Sequence, residues 1–273
     1  METLMAVLIE TAPILNQCSN GVYEWSEGKG WTPSDGTPPR ETPVTVYVDR
    51  EELATMMCTP DKLSFLVIGF LRSEGIIRKL DDIAMMRVCD QEQTVDVRLI
   101  SPRKAIQQKR ILTSGCGGGV TFDSGSSPLP VTADCRVEPR QILSCMRQLL
   151  IYHDGTGKRR GTHNSALADG EQLLVVSEDV GRHNTLDKIW GECLFRNIRT
   201  DGKMLISTGR LSSEMMLKAG KMNVPVAVSL NSATERAVRL AKEMGITAVG
   251  YARGSRLLAY SRHDRLGMTL GWP

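Results

Sequence analysis

The most reactive-looking residue in this chain is Cys116, set in Arg110-Ile-Leu-Thr-Ser-Gly-Cys-Gly-Gly-Gly119. Its close neighbours include Gly115, Gly117, Gly118 and Gly119. A structural cysteine is packed among side chains, whereas a thiol that must meet another molecule is served by a bare, adaptable backbone. Successive N–H groups in such a loop can form an anion-binding nest, which favours thiolate over thiol. The plainer alternative is a glycine-rich turn that happens to contain a cysteine. A second concentration of chemistry lies in three later loops, Ser177-Glu-Asp-Val-Gly-Arg-His-Asn184, Ser207-Thr-Gly-Arg-Leu-Ser-Ser213 and Ser229-Leu-Asn-Ser-Ala-Thr234. Arg182, His183 and Arg210 bring charge and hydrogen bonds, and Ser212, Ser213, Ser232 and Thr234 stand where helix N-termini would point N–H groups outward. A phosphate or another anion is the natural guest. Each residue also has an ordinary reading. Ser212, Ser232 and Thr234 suit N-caps, His183 suits a structural histidine, and Glu178 with Arg182 suits an ion pair.

These loops need elements to hold them. Residues 1–40 read as an irregular arm, because Gly28-Lys-Gly-Trp-Thr-Pro-Ser-Asp-Gly-Thr-Pro-Pro39 has turn and loop composition. A small α+β domain is expected over 41–127, with the Cys116 loop at its end. Thr42–Val48 and Thr55–Pro60 read as strands, Asp61 as the cap of a helix over 62–74 closed by Gly75, and Thr94–Ile100 as a further strand. From 128 to 273 the texture changes. Glu138–Ile151 is an amphipathic helix with Pro139 in its first turn. Strands at 172–177, 203–208 and 224–229 alternate with helices at 186–195, 212–222 and 234–244, and a strand pair turns at Gly254-Ser255. The expected fold class is α/β: a small α+β domain followed by a layered α/β/α domain. In such a fold ligands lie at the C-terminal ends of strands, where the three polar loops fall, and a shared pocket is the better reading.

Composition narrows the function. A net charge of +3 in 273 residues permits an anionic ligand but lacks the dense basic stripe of a nucleic-acid binder. The seven cysteines show no Cys-x-x-Cys and no zinc-finger spacing to a histidine, so no disulfide framework and no structural metal are expected. No apolar run approaches the ~20 residues of a membrane span, and Glu2 and Glu10 argue against a signal peptide. The expected compartment is a reducing cytoplasm, where thiols stay free for chemistry.

Glu178-Asp-Val-Gly-Arg-His-Asn184 followed by Asp187-Lys188 resembles the signature of the formate dehydrogenase accessory sulfurtransferase family (FdhD). The similarity runs from about Glu41 to Arg265. It includes Thr59-Pro60, Gly69-Phe-Leu-Arg-Ser-Glu-Gly-Ile-Ile77, Arg110-x-x-x-Thr-Ser-x-Cys-Gly, Gly161-Thr-His163, Ser207-Thr-Gly-Arg210, and Tyr251-Ala-Arg-Gly-Ser-Arg256 with Tyr260. The resemblance implies a sulfur carrier that takes persulfide sulfur from a cysteine desulfurase. The sulfur passes to the molybdenum bis(molybdopterin guanine dinucleotide) cofactor, bound as a ligand, for use by the formate dehydrogenase apoenzyme. It implies Cys116 as the persulfide residue and Tyr251, Ala252, Arg253, Gly254, Ser255 and Arg256 as the cofactor-binding segment, to which the polar loops add Arg210, Arg182 and His183. It also implies a cytidine-deaminase-like second domain and a homodimer. One departure stands out: many members carry Cys-x-x-Cys where this chain has Cys116-Gly-Gly-Gly119, so a resolving thiol within the motif is missing, while a relay through one sulfur remains open.

Three rivals are distinguishable. A zinc nucleotide deaminase needs a ligand–glutamate pair and a Pro-Cys-x-x-Cys, but His163 is followed by Asn164 and Ser165 and no Cys-x-x-Cys exists. A thiol hydrolase pairing Cys116 with His163 or His183 would not retain sulfur, and neither would a non-catalytic cofactor-binding chaperone. Incubation with a cysteine desulfurase and cysteine, followed by weighing the protein, separates the carrier from both.

Overall fold

The computed structural model describes residues 21–34, 36–89, 93–101, 110–112, 120–122, 130–155 and 161–268. Residues 1–38 and 39–273 form two compact units. In the first, β1 (Tyr23–Ser26) and β2 (Gly30–Pro33) pair antiparallel with Trp25 opposite Trp31. The sequence predicts an irregular arm here. Its turn-rich composition instead closes a hairpin, with Gly28 and Gly30 at φ +85° and +67° supplying the positive dihedrals that a tight connection needs.

The second unit opens with a four-stranded sheet. β3 (Thr42–Val48) and β4 (Glu51–Cys58) are followed by α1 (Leu63–Ser73), β5 (Ile83–Cys89) and β6 (Thr94–Leu99), in the order β4-β3-β6-β5. Val44, Val46 and Val48 alternate with half-buried residues and face the core that α1 covers with Leu66, Ile68 and Leu71. α1 lacks the predicted cap: Lys62 occupies the N-cap at φ 50° with no side-chain bond, and Asp61 is recruited by a buried lysine instead. Its C-terminus closes as expected, with Gly75 left-handed at φ 71°. β7 (Arg110–Leu112) and β8 (Val120–Phe122) then pair antiparallel. They bracket 113–119, so Cys116 lies outside the described residues.

The remainder comprises α2 (Pro139–Gly155), β9 (His163–Asp169), β10 (Gln172–Asp179), α3 (Arg182–Phe195), β11 (Met204–Ser207), α4 (Ser213–Lys221), β12 (Val226–Ser229), α5 (Glu235–Met244), β13 (Thr247–Arg253) and β14 (Arg256–Ala259). The sheet order is β10-β9-β11-β12-β13-β14. β9, absent from the sequence prediction, lies antiparallel to β10 and β11, while β11, β12 and β13 are mutually parallel. Successive residues of β11 face opposite layers. Met204 and Ile206 join Ile142, Met146 and Leu149 of α2, whereas Leu205 joins Leu186, Met216 and Ala241 of α3, α4 and α5. Burial on both faces explains why the central strands read as unbroken apolar runs. The result is a mixed α/β fold with helices on both faces of its larger sheet.

The two sheets are joined through α1 and α3. A Cβ on Gly69 would strike the Asp187 carbonyl, and one on Gly191 would strike the Phe65 carbonyl. Each helix therefore presents its bare backbone to the other. Arg72 lies over the Trp190 ring at 4.9 Å, and Phe65 meets Phe195 with centroids 5.5 Å apart. Gly69→Ala or Gly191→Ala must push the helices apart and is expected to cost at least about 2 kcal/mol of stability. Urea unfolding tests this, and a change below about 0.5 kcal/mol in both variants would contradict the crossing.

Candidate functional site

β10, β11, β12 and β13 run in one direction, so their C-terminal ends, together with the start of the antiparallel β9, lie along one sheet edge. That edge carries Arg182 and His183 after β10, His163 at the start of β9, and Thr208-Gly209-Arg210 after β11. Asn231 follows β12, and Tyr251 lies at the end of β13. Hydrogen bonds lace the loops into a continuous rim. Thr208 N donates to the Asn164 carbonyl at 2.8 Å, and Asn164 N returns a bond to Thr208 Oγ1 at 3.0 Å. Ser229 Oγ donates to the Gly209 carbonyl at 2.8 Å, and Asn231 Nδ2 donates to that of Thr208 at 2.8 Å. Tyr251 N reaches the Asn231 carbonyl at 2.9 Å.

Within the rim the predicted residues occupy different environments. α3 begins four residues before the predicted 186, so Arg182 and His183 form its first turn. The Arg182 Nε is buried and has no hydrogen-bond partner among the described residues. An unsatisfied buried guanidinium donor is costly, and an anion is the group that would satisfy it. Gly209 sits beside it: a Cβ there would lie 3.1 Å from Arg182 Cβ and 3.3 Å from His163 Nδ1. The missing side chain lets the β11 loop pack closely against these residues. His183 is held elsewhere, with Nε2 2.9 Å from Glu214 Oε2 and 3.1 Å from Ser212 Oγ. It fixes α3 to the start of α4. Ser212 and Thr234 do cap α4 and α5, accepting from Met215 N and Ala237 N, while Ser232 accepts at its carbonyl from Leu211 N.

Arg210, Tyr251, Arg253, Gly254, Ser255 and Arg256 are exposed, whereas Ala252 is buried and can offer a ligand only its backbone. Arg253 and Arg256 are cross-strand partners flanking Gly254, which stands at φ 63°. Tyr251 is also left-handed, at φ 51°. That conformation is strained for an aromatic residue and is maintained only where surrounding contacts over-determine it.

Much of the polar loop after β10 turns inward. Lys188, wholly buried, donates to Asp61 Oδ1 at 2.5 Å, Asp179 Oδ2 at 2.8 Å, the Glu178 carbonyl at 3.0 Å and the Thr59 carbonyl at 3.1 Å. Asp179 also accepts from Thr59 N, Gly181 N and Asn184 Nδ2. Burial pushes the Asp179 carboxyl above its ordinary range, and the Lys188 ammonium opposes that. Asp187 pairs with Lys218, which also donates to Ser73 Oγ at 3.1 Å. Glu178 accepts from Thr162 Oγ1 at 2.8 Å. Sequence reasoning missed this junction. Its signal was a lysine and two aspartates within and just before an otherwise buried helix.

Four of the described cysteines are poor nucleophiles. Cys58, Cys145 and Cys193 are buried, and desolvation pushes their thiols to about 12, 11 and 12. Cys58 and Cys145 donate to the carbonyls of Thr42 and Gly170. Cys135 is also raised, chiefly by burial. Cys18 lies outside the described residues with Cys116. These thiols keep their protons in the folded state above the ordinary value of 9.0, while the unfolded chain loses them, so stability falls as pH rises through that value. Each contributes about 1.4 kcal/mol per pH unit, or about 4 kcal/mol for the three. Urea unfolding between about pH 9 and 10.5 should show this limb flattened in a Cys58→Ala, Cys145→Ala, Cys193→Ala variant; an unchanged slope would contradict the burial.

Among the described residues no helix is long and apolar enough to cross a membrane, and no group of three or more His, Cys, Asp or Glu is arranged to hold a metal. Comparison with known proteins supplies a family context. A model of the FdhD/NarQ family matches residues 39–267. The sulfur carrier protein FdhD of Bacillus subtilis is 35% identical over 235 residues, covering 83% of this chain and 88% of the relative. That of Staphylococcus aureus strain MRSA252 is 36% identical over 251 residues, covering 90% and 94%. A crystal structure from Desulfotalea psychrophila, of a protein assigned as a formate dehydrogenase accessory protein, superposes with a TM-score of 0.73 at 26% identity, covering 90% of this chain and 96% of that one.

Proposed function

We propose that this chain, which belongs to the FdhD/NarQ family, is a cytoplasmic sulfur carrier that loads Cys116 with a persulfide. In the loading step the Cys116 thiolate attacks the terminal sulfur of a persulfide on a cysteine desulfurase. The new S–S bond forms on Cys116, and the desulfurase cysteine departs as thiolate. The sulfur is then delivered to molybdenum bis(molybdopterin guanine dinucleotide), the substrate, for use by the formate dehydrogenase apoenzyme. A homodimer and a cytidine-deaminase-like layering of the larger sheet belong to the same reading.

The observation that carries it is the rim itself. The ends of β10 and β11 and the β13–β14 hairpin deliver arginines to one edge, among them a buried Arg182 donor with no protein acceptor among the described residues, close against Gly209. This donor set fits the phosphates of a guanine dinucleotide, with Arg182 and Arg210 on one side of the rim and Arg253 and Arg256 on the terminal hairpin. The chain's own residues would bind and orient the substrate, while the sulfur chemistry rests with Cys116. The burial of Cys58, Cys145 and Cys193 supports the choice of thiol.

Incubation with a cysteine desulfurase and cysteine should add one sulfur atom to Cys116, detected by intact mass and peptide mapping. Cys116→Ser should abolish loading, and the Cys58→Ala, Cys145→Ala, Cys193→Ala variant should retain it. Full loading of Cys116→Ser would refute the assignment. Separately, calorimetry with GDP should show Arg253→Ala and Arg256→Ala each weakening binding about ten- to a hundredfold, as charge-assisted bonds of roughly 1.5–3 kcal/mol are lost. Sulfur loading should be unaffected. Unchanged GDP affinity in the double variant would exclude the hairpin from the binding site.

A further inference from the structure

We propose that a polar cavity at the end of α3 remote from the rim is a separate binding site for a small anion of the phosphate class. The cavity is about 340 Å³, within the range of small-molecule sites, and is lined by Arg72, Arg78, Trp190, Arg199, Asp201 and Lys221 among others. α3 starts at Arg182 and ends at Phe195. At 1.5 Å per residue its two ends are roughly 20 Å apart, so this site does not overlap the rim.

Charge is the argument. The lining holds four cations and one carboxylate, Asp201. Arg199 occupies that carboxylate with two bonds, Nε to Oδ1 at 3.0 Å and Nη2 to Oδ2 at 2.6 Å. The neighbouring acids are engaged as well. Asp187 pairs with Lys218, Glu192 with Lys62 and Arg196, and Asp82 accepts from the backbone N–H groups of Arg78 and Lys79. Arg72, Arg78 and Lys221 form no ion pair among the described residues. The Arg72 guanidinium carbon stands over the Trp190 ring, 4.9 Å from its centroid. Lys221 spends one donor on the Ser73 carbonyl at 2.6 Å. Desolvation holds Lys221 below the ordinary lysine range, with Lys218 and Arg72 adding to the effect and Glu74 opposing it. Three cations from the end of α1, the turn after it and the end of α4 thus line a concave space whose one lining carboxylate, Asp201, is held by Arg199. A dianion offsets more of this positive charge than a monovalent ion does.

The test uses inorganic phosphate and the full chain carrying Arg182→Ala, Arg210→Ala, Arg253→Ala and Arg256→Ala, so that the rim arginines do not contribute. Phosphate should bind by calorimetry and raise Tm beyond potassium chloride at equal ionic strength, because a ligand selective for the folded state stabilises it. Adding Arg78→Ala and Lys221→Ala should weaken phosphate binding at least tenfold, as two charge-assisted contacts are lost. The single exposed change Arg78→Glu, made in the same rim background, should do the same, giving a second reading should the sextuple variant unfold. Binding that survives both changes, or a Tm rise matched by potassium chloride, would overturn the site. So would binding of an acidic peptide in place of phosphate, since that would make the cavity a protein-docking surface.

Discussion

The Lys188 ammonium is the interaction on which the arrangement depends. It is fully buried, and an unpaired charge there would be prohibitive, with an effective cost of several kcal/mol. Its acceptors come from two parts of the chain: Asp61 and the Thr59 carbonyl from the segment leading into α1, and Asp179 and the Glu178 carbonyl from the end of β10. Neither set alone would satisfy it, so the small sheet and the large one must be docked for the charge to be tolerated. The same Asp179 accepts from Gly181 N and Asn184 Nδ2, which fixes the start of α3. The carboxylate that neutralises the junction therefore also aims Arg182 into the rim.

Distance makes this possible. The junction polar groups can meet only if α1 and α3 approach more closely than side chains normally allow. Gly69 and Gly191 remove the atoms that would stand between the helices, each placed against a carbonyl of the other helix. Lys218 and Lys221 then reach across from α4 to Ser73 at the end of α1. Packing and electrostatics are not separable here, since the glycines set the separation at which the lysines find their acceptors.

What was legible in the sequence follows from periodicity. The alternation in Thr42–Val48, the apolar runs of β11 and β12, the caps Ser212 and Thr234, and Gly75 and Gly245 as helix stops all emerge as expected. β9 escaped because it begins with His163, Asn164 and Ser165 and continues in small residues, a pattern with no period-two contrast. β5 escaped because it is an edge strand, half-exposed and interrupted by Arg87. The start of α3 read as loop because Gly181, His183 and Asn184 are individually weak helix formers, and the junction overrides that preference. Asp61 shows the deeper limit. A carboxylate before a helix suits a cap and a buried-lysine partner equally, and local sequence cannot tell which acceptor is in short supply. The motif between Glu178 and Lys188 could be recognised as a pattern, yet its spacing does not reveal that several of its polar groups face the end of β4 and the segment between β4 and α1.

The rim is graded in exposure, and the gradation bears on how it would hold a ligand. Arg182 stands at the β10 side with its Nε already out of water, so a bond formed there removes an unsatisfied group and replaces no hydration. Arg253 and Arg256 stand on an exposed hairpin and must surrender water for each bond they make. On the proposed reading, an anion held by both ends would be oriented by the buried arginine and captured by the exposed pair. The left-handed Tyr251 beneath that hairpin, tied through its N–H to Asn231, couples the capturing end to the β12 loop and through Asn231 to Thr208 beside Gly209. Capture and orientation are in this way parts of one hydrogen-bonded edge.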